Sequence, residues 1–498
     1  MSAPSQWFRN LTQSLSEKPN RHRILYDGII LLLGSIFISL YQLFFAENSV
    51  ALAPLLLVIP VYTAINLLIG IYGRFAVGSG FVKAPLLGLS LLLSLAVPYF
   101  LGVPSNLLSI LFAVSWPALS IPRILLNIDT RIPTNFVTKA VRQKGPILIV
   151  GGGGYIGTHL VDELLTNNHK VRVLDRLLYG KTPLADFLNH PNFELVEGDA
   201  TDIARLTFAM AGASAVVHLG GLVGDPACAV DEAYTRHTNV IATRMVHELA
   251  ISFGVERFVF ASSCSVYGAS DYKVDERSPL NPVSLYALTK IDSEKELLRT
   301  SGQGVCTTIL RFATVFGHSR RPRFDLVANL FTAQAWEDGK ITVIGPNQWR
   351  PFVHCRDLAT AIHLVLKAPI KKVNGEVFNV GDESLNMTIG QLGEQVKNIV
   401  SKYKPVELQV TDNVTDRRNY MVSFDKIKNT LGFTANNHIE NAIEEIVSHF
   451  KNKDYEHYKS PTYSNVEITK KAVMDFRDPM QSIRMYRPVS ETPVGGES

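Results

Sequence analysis

The stretch Pro146-Ile-Leu-Ile-Val-Gly-Gly-Gly-Gly-Tyr-Ile-Gly157 decides the fold of most of this chain. An apolar run ends in a glycine cluster and a helical segment follows, so it reads as strand, tight turn and helix. Gly151, Gly154 and Gly157 stand three apart. The first permits the turn, the second lets backbone approach a pyrophosphate, and the third lets helix and strand pack closely. Phosphate then sits at the helix amino terminus, where unpaired N–H groups and the macrodipole favour negative charge. Asp175 closes the next apolar run about 20 residues on, placed to accept from adenosine ribose hydroxyls. A carboxylate there repels a 2′-phosphate, so NAD is expected over NADP, with Arg176 beside it pulling the other way.

Downstream, short apolar runs alternate with helical periodicity, the pattern of a parallel sheet covered by helices on both faces. Strands are expected at Ile147 to Val150, Lys170 to Leu174, Phe193 to Glu197, Ala215 to Leu219, Arg257 to Ser262 and Thr307 to Phe312. Helices are expected at Ile156 to Asn167 and Arg236 to Phe253. Short strands and helices then continue to about Phe450, and the polar tail from Lys451 to Ser498 is expected to be loosely ordered.

Ser263, Tyr286 and Lys290 form the expected catalytic set. Tyr286 and Lys290 are four apart, on one face of a helix. The Lys290 ammonium is expected to lower the Tyr286 phenol from its reference near ~10, making it an acid/base near neutral pH. Ser263, at a strand end, would hydrogen-bond the same substrate oxygen. The Tyr-x-x-x-Lys spacing alone carries little weight, because Tyr455 and Lys459 match it too. Position separates them: Tyr286 follows a strand ending in serine.

Residues 146 to about 450 resemble the extended short-chain dehydrogenase/reductase family, particularly its NAD-dependent nucleotide-sugar epimerases and dehydratases. The matching words are Gly151-Gly-Gly-Gly-Tyr-Ile-Gly157, Gly198-Asp199, Val217-His-Leu-Gly-Gly221, Ser262-Ser-Cys-Ser-Val-Tyr-Gly268, Tyr286-x-x-x-Lys290, Leu310-Arg-Phe-Ala-Thr-Val-Phe-Gly317 and Arg350-Pro-Phe-Val-His-Cys-Arg-Asp357. The resemblance implies a Rossmann domain over 146–315 and a smaller substrate domain over 316–450, interleaved with it. By the same resemblance Tyr155 and Ile156 join the glycines at the cofactor, Asp199 and Ala200 face the adenine, Leu219, Gly220, Gly221 and Asn239 line the cofactor, and Phe312 sits near the nicotinamide. Asn329, Arg350 and Arg418 match positions that hold the sugar-nucleotide diphosphate. His218 and His354 are implied to be structural. Where 4,6-dehydratases carry Thr-Asp-Glu, this chain has Ser263-Cys264-Ser265, so no acid/base pair for removing water is evident. Cys264 stands one residue from the position of a 3,5-epimerase cysteine and reads as a packed residue. Val223 replaces a lysine common in 4-epimerases.

Before the glycine word come four apolar stretches, Ile24 to Phe45, Val50 to Tyr72, Lys83 to Leu101 and Asn106 to Ile128. Each approaches the ~20 residues that cross a hydrocarbon core. A cytoplasmic tail (1–23), a four-helix transmembrane domain (24–128) and a linker (129–145) are therefore expected. Arg9, Lys18, Arg21, Arg23, Arg74, Lys83, Arg131, Lys139, Arg142 and Lys144 fall on alternate connections, while those around Glu47 and Gly102 to Ser105 carry no Lys or Arg. Positive residues stay inside, so both termini and the catalytic part are expected in the cytoplasm. Asp27 is expected in the headgroup region. The layout is similar to that of membrane-anchored sugar-nucleotide dehydratases of polysaccharide synthesis.

The net charge of +4 comes partly from these positive-inside residues and does not point to nucleic acid. The four cysteines are far apart, so neither a metal site nor a disulfide framework is expected. The sequence therefore reads as a membrane-bound, NAD-dependent sugar epimerase acting on a sugar nucleotide or lipid-linked sugar. A dehydratase, a keto-sugar reductase and a non-catalytic NAD-binding scaffold stay as alternatives. The lipid bilayer, a second copy of the chain and glycan-assembly enzymes are the expected partners.

Overall fold

The computed structural model describes residues 21–45, 52–68, 80–129, 145–301, 304–411, 416 and 418–477. The chain divides into two units, Met1–Asn135 and Phe136–Ser498.

The first unit is helical: α1 (Arg21–Phe45), α2 (Leu52–Leu56), α3 (Val58–Leu68), α4 (Gly80–Phe100) and α5 (Ser105–Asp129). The second apolar stretch is thus two helices, parted at Leu57. Side-chain surroundings are described for 27–39, 54–66 and 87–121. Leu31, Leu55, Tyr62, Leu87, Leu91, Leu111 and Leu119 form the interior. Helices approach closely at glycines: a Cβ on Gly34 would lie 2.9 Å from Leu111 Cδ1, and one on Gly88 would lie 2.8 Å from Trp116 Nε1. Among the described residues no helix is long and apolar enough to cross a membrane, so the four-span expectation gains no support from helix length. Asp27 is fully buried among its neighbours. Arg9, Lys18, Arg74, Arg131, Lys139, Arg142, Lys144 and the connection around Glu47 lie outside the described residues.

The second unit is built on a seven-stranded parallel sheet, β1 (Ile147–Val150), β2 (Val171–Asp175), β3 (Phe193–Glu197), β4 (Ala215–His218), β5 (Arg257–Ser263), β6 (Cys306–Phe312) and β10 (Glu376–Val380). Its order is β10-β6-β5-β4-β1-β2-β3. The order reverses between β1 and β4, and in such sheets ligands bind outside the carboxyl ends of the strands at that switch point. Register makes those ends level: Val150 pairs with Leu174 on one side and His218 on the other. β1 is buried throughout, as strands covered on both faces are. Helices α6 (Gly157–Thr166), α7 (Ile203–Met210), α8 (Ala242–Ser252) and α9 (Leu285–Arg299) alternate with the strands.

A smaller part combines β7 (Thr314–Phe316), β8 (Lys340–Ile344), β9 (Trp349–His354), β11 (Asn386–Thr388) and β12 (Glu407–Thr411) with α10 (Val327–Glu337), α11 (Cys355–Lys367), α12 (Ile389–Val400) and α13 (Ile439–Lys451). Its own core joins Phe331, Val343, Leu392, Val396 and Ile443.

The tail corrects the sequence reading. Beyond Lys451 the chain forms α14 (Asn465–Arg477), and Tyr455, Tyr458 and Tyr463 pack on Phe324 and Phe450. Their rings bury enough apolar surface to order a stretch whose average composition is polar.

Candidate active site

A cavity of about 320 Å³ opens at the carboxyl ends of the sheet. The chain leaves β1 at Gly151 with φ +84°, and a Cβ there would lie 2.7 Å from Gly220 N. A Cβ on Gly157 would meet Gly151 O at 2.5 Å. The two loops therefore close only around glycine. Gly151, Gly154, Tyr155, Ile156 and Gly157 line the cavity from this turn, which ends at the amino terminus of α6. Asp175, Arg176, Asp199 and Ala200 line it from β2 and β3, and Leu219, Gly220 and Gly221 from β4. Ser263, Tyr286 and Lys290 line it from β5 and α9, with Phe312 and Arg418.

Asp175 accepts from Gly153 N (2.9 Å) through Oδ2 and from Leu177 N (2.7 Å) through Oδ1. A carboxylate offers about four acceptor sites, so two remain for hydroxyls in the cavity. Burial raises its pKa, against the lowering by these two N–H groups. Arg176 is occupied: Nη1 lies 3.2 Å from Asp199 Oδ2 and donates to Tyr234 Oη at 2.6 Å. Its Nη1 is thus committed to Asp199 and Tyr234 and is not free for a 2′-phosphate.

Ser284 caps α9, accepting from Ala287 N, and this puts Tyr286 in the first turn with Lys290 one turn on. Lys290 Nζ donates to Ala261 O at 2.8 Å and lies 5.8 Å from the centre of the Tyr286 ring. Burial pushes its pKa down to about 8. Burial also pushes the Tyr286 phenol well up, with the Ser263 hydroxyl and the Arg323 guanidinium acting in the lowering direction. This corrects the expectation for Lys290. Its ammonium is turned to a backbone carbonyl, and Arg323, which the sequence reading missed, is the cation that acts on the phenol. Ser263 Oγ accepts from Ser265 N at 3.1 Å, which orients its hydroxyl at the end of β5.

Three expected contact residues do not line the cavity. Asn239 sits on a π turn (His237–Ile241) and exchanges hydrogen bonds with Leu222 N (2.7 Å) and O (3.0 Å), bracing the glycine loop from behind. Asn329 donates to Tyr155 Oη (3.1 Å), Gly317 O (3.1 Å) and Arg323 O (2.9 Å) and accepts from Gly317 N (3.0 Å). Its amide is spent holding loops. Arg350 is buried, 3.0 Å from Asp416 and bonded to the Trp349 and Arg418 carbonyls, so it positions the Arg418 loop. Arg418 does reach the cavity, held by Asp416 (2.6 Å) with Asp225 at 3.5 Å.

His218 hydrogen-bonds Thr243 (3.0 Å) through Nε2, and burial brings its pKa down to about 3. His354 accepts from Arg356 N at the start of α11. Cys264 is buried with its thiol against Arg311 O. Behind the site, Arg311 makes a two-pronged pair with Glu294 (2.7 and 3.0 Å), while Ser262 donates to Glu294 and Arg311 to Tyr267. This buried network fixes the end of β5 against α9. Tyr179, Arg321, Arg323, Tyr420 and Asn465 also line the cavity. No motif in the sequence singles them out.

The arrangement fits a dinucleotide: a phosphate cradle without side chains, a ribose acceptor, and a Tyr–Lys–Ser set. Known proteins agree. The NAD dependent epimerase/dehydratase family matches residues 147–381. A UDP-glucose epimerase of uncharacterized role, YtcB of Bacillus subtilis, is 32% identical over 47% of this chain and 76% of its own length. A putative UDP-glucose 4-epimerase of Methanocaldococcus jannaschii is 28% identical over 62% of this chain and 99% of its own. Among solved structures, the dTDP-glucose 4,6-dehydratase DesIV of Streptomyces venezuelae with NAD superposes with a TM-score of 0.56 at 25% identity, covering 64% of this chain and 99% of that one. With cradle, acceptor and Tyr–Lys–Ser set in one cavity, this chain belongs to the NAD dependent epimerase/dehydratase family and is an enzyme of that kind.

Proposed function

We propose that this enzyme inverts a hydroxyl-bearing carbon, most simply C4, of a sugar nucleotide or lipid-linked sugar, serving glycan synthesis at a membrane. When bound, NAD supplies a hydride acceptor at its nicotinamide ring. Tyr286 takes the proton of the sugar hydroxyl while Ser263 hydrogen-bonds the same oxygen. With NAD bound, the Lys290 ammonium would hold the nicotinamide ribose, while Arg323 favours the phenolate. The resulting keto sugar turns and takes hydride back on its other face, with Tyr286 returning the proton. The cavity walls keep water from the exposed carbonyl.

One observation carries the choice of epimerase. Among the described residues lining the cavity, the carboxylates are Asp175 and Asp199, both at the ends of β2 and β3. Neither stands beside Tyr286, where a dehydratase needs one group to take the C5 proton and another to protonate the departing C6 hydroxyl; Asp225, which acts on the Tyr286 phenol, is not in the cavity wall and lies 3.5 Å from Arg418. The experiment is incubation with a panel of nucleotide- and polyprenyl-linked sugars, followed by NMR. Epimers without net reduction of NAD support the reading; a 4-keto-6-deoxy product overturns it.

The membrane part rests on the outward side chains of the first unit. Ile29, Leu33 and Phe37 of α1, Leu89 and Leu93 of α4, and Val114 and Ile121 of α5 are about half exposed. Apolar outward faces this extensive suit hydrocarbon. Carbonate extraction of membranes is the test: retention in the pellet supports anchoring, and release contradicts it.

A further inference from the structure

Arg321 is a buried cation without a counter-ion among the described residues. It is 4% exposed, lines the cavity, and its Nε has no hydrogen-bond partner among the described residues. It forms no ion pair within the described residues, unlike Arg323, whose fork grips Asp325 (2.6 and 3.0 Å). Burial lowers its pKa to about 10, as for a charge taken from water without compensation. Buried guanidinium groups are ordinarily paired.

Its position is fixed from three directions. Arg321 N donates to Ser319 Oγ (3.3 Å), and Ser319 Oγ in turn bonds Tyr155 O (2.7 Å) and Thr158 Oγ1 (3.1 Å). The backbone of Arg321 is thereby tied to the first turn of α6, beside the glycine cradle. The guanidinium stacks on the Tyr179 ring at 3.6 Å. Asn465, the first residue of α14, accepts from Arg321 Nη2 (2.5 Å) and from Tyr179 Oη (3.1 Å), and donates to Val223 O (3.4 Å) and Asp325 (3.2 Å). Farther along α14, Thr469 lines the cavity and Phe476 packs on Tyr234 at 5.2 Å.

We propose that Arg321 is a diphosphate-binding residue, lining the same cavity as the amino terminus of α6 and held by Asn465 of the carboxy-terminal helix. A diphosphate in this cavity can belong to the dinucleotide or to the sugar nucleotide. The tie to the α6 turn assigns it to the dinucleotide. The guanidinium fork supplies the paired donors that match phosphate oxygens. The free Nε is the donor left for that purpose, and α14 makes the segment after the substrate domain part of the cofactor site. The inference concerns cofactor retention and does not depend on which sugar is turned over.

The test is direct titration of the full-length protein, stripped of nucleotide, with NAD, ADP-ribose, adenosine and UDP. Arg321→Leu should bind NAD and ADP-ribose at least about tenfold more weakly, from the loss of charge-assisted hydrogen bonds. Adenosine, which has no phosphate, should bind it as it binds the wild type. Asn465→Ala should show the same pattern to a smaller degree, and Arg321→Lys should recover part of the affinity. Unchanged NAD and ADP-ribose affinity in Arg321→Leu overturns the proposal, and so does a loss confined to UDP. Equal loss for adenosine also overturns it, since the residue would then be structural. Thermal unfolding without ligand separates that case from simple misfolding.

Discussion

Replacing Asp175 with Ser should collapse the preference for NAD over NADP. The carboxylate is fixed by Gly153 N and Leu177 N, so its free lone pairs point into the cavity at the end of β2. A 2′-phosphate placed about 4 Å away would feel about 1 kcal/mol of repulsion in a watery setting and about 4 kcal/mol at an effective dielectric near 20. At about 1.4 kcal/mol per factor of ten, that is roughly a five- to thousandfold discrimination. Ser removes it, together with the ribose hydrogen bonds, so NAD binding should weaken while NADP binding holds or improves. Arg176, already committed to Asp199 and Tyr234, should not restore discrimination. Fluorescence titration of both cofactors against wild type and Asp175→Ser reads the ratio directly. A wild type that prefers NADP, or a ratio unmoved by the substitution, would refute the assignment of Asp175.

Tyr286→Phe should lose turnover by about 10²–10⁴-fold while retaining NAD; single-turnover rates and bound-cofactor content check both. Tyr455→Phe, the matching spacing in the tail, should leave turnover intact but cost about 1 kcal/mol of stability, because its hydroxyl bonds His318 at 2.6 Å; chemical denaturation measures this. NAD affinity should fall as pH rises through about 8, because burial lowers the folded Lys290 pKa to about 8 and only the ammonium holds the ribose. Between there and the ordinary lysine value near ~10.4 the unfolded chain binds more protons, so this residue adds stability with rising pH in that window. Glu294→Gln should destabilise the fold by about 3–5 kcal/mol, since it leaves the Arg311 charge buried and unmatched; the denaturation midpoint reads it.

Six of the seven strands of the parallel sheet are legible to within about a residue at either end, because strands covered on both faces read as short apolar runs; β10, which joins the sheet from beyond the substrate part, has no such signal. The cofactor cradle was legible because glycine has few substitutes where two loops touch. The motifs point to ligand contact for Asn239, Asn329 and Arg350, yet each spends its hydrogen bonds within the protein; a motif places a residue near a site without saying which way its side chain faces. The influence of Arg323 on the Tyr286 phenol depends on loop folding that spacing does not encode. Helix α14 was missed for another reason: its buried positions are Asn465, Thr469 and Ala472, so the helical stripe is polar or small and hydropathy does not detect it. In the first unit, the apolar stretches gave helices, with a break at Leu57 that an all-apolar run does not reveal.

A reaction run in D2O distinguishes reversible oxidation and inversion by Tyr286 and NAD from elimination of water. The enzyme with NAD is incubated with UDP-glucose, or the best substrate from the panel, and followed by proton NMR with absorbance at 340 nm. The expected outcome is the C4 epimer with protium retained at C4 and C5, a steady absorbance, and no product from Tyr286→Phe. A 4-keto-6-deoxy sugar carrying deuterium at C5, or inversion undiminished in Tyr286→Phe, would contradict it.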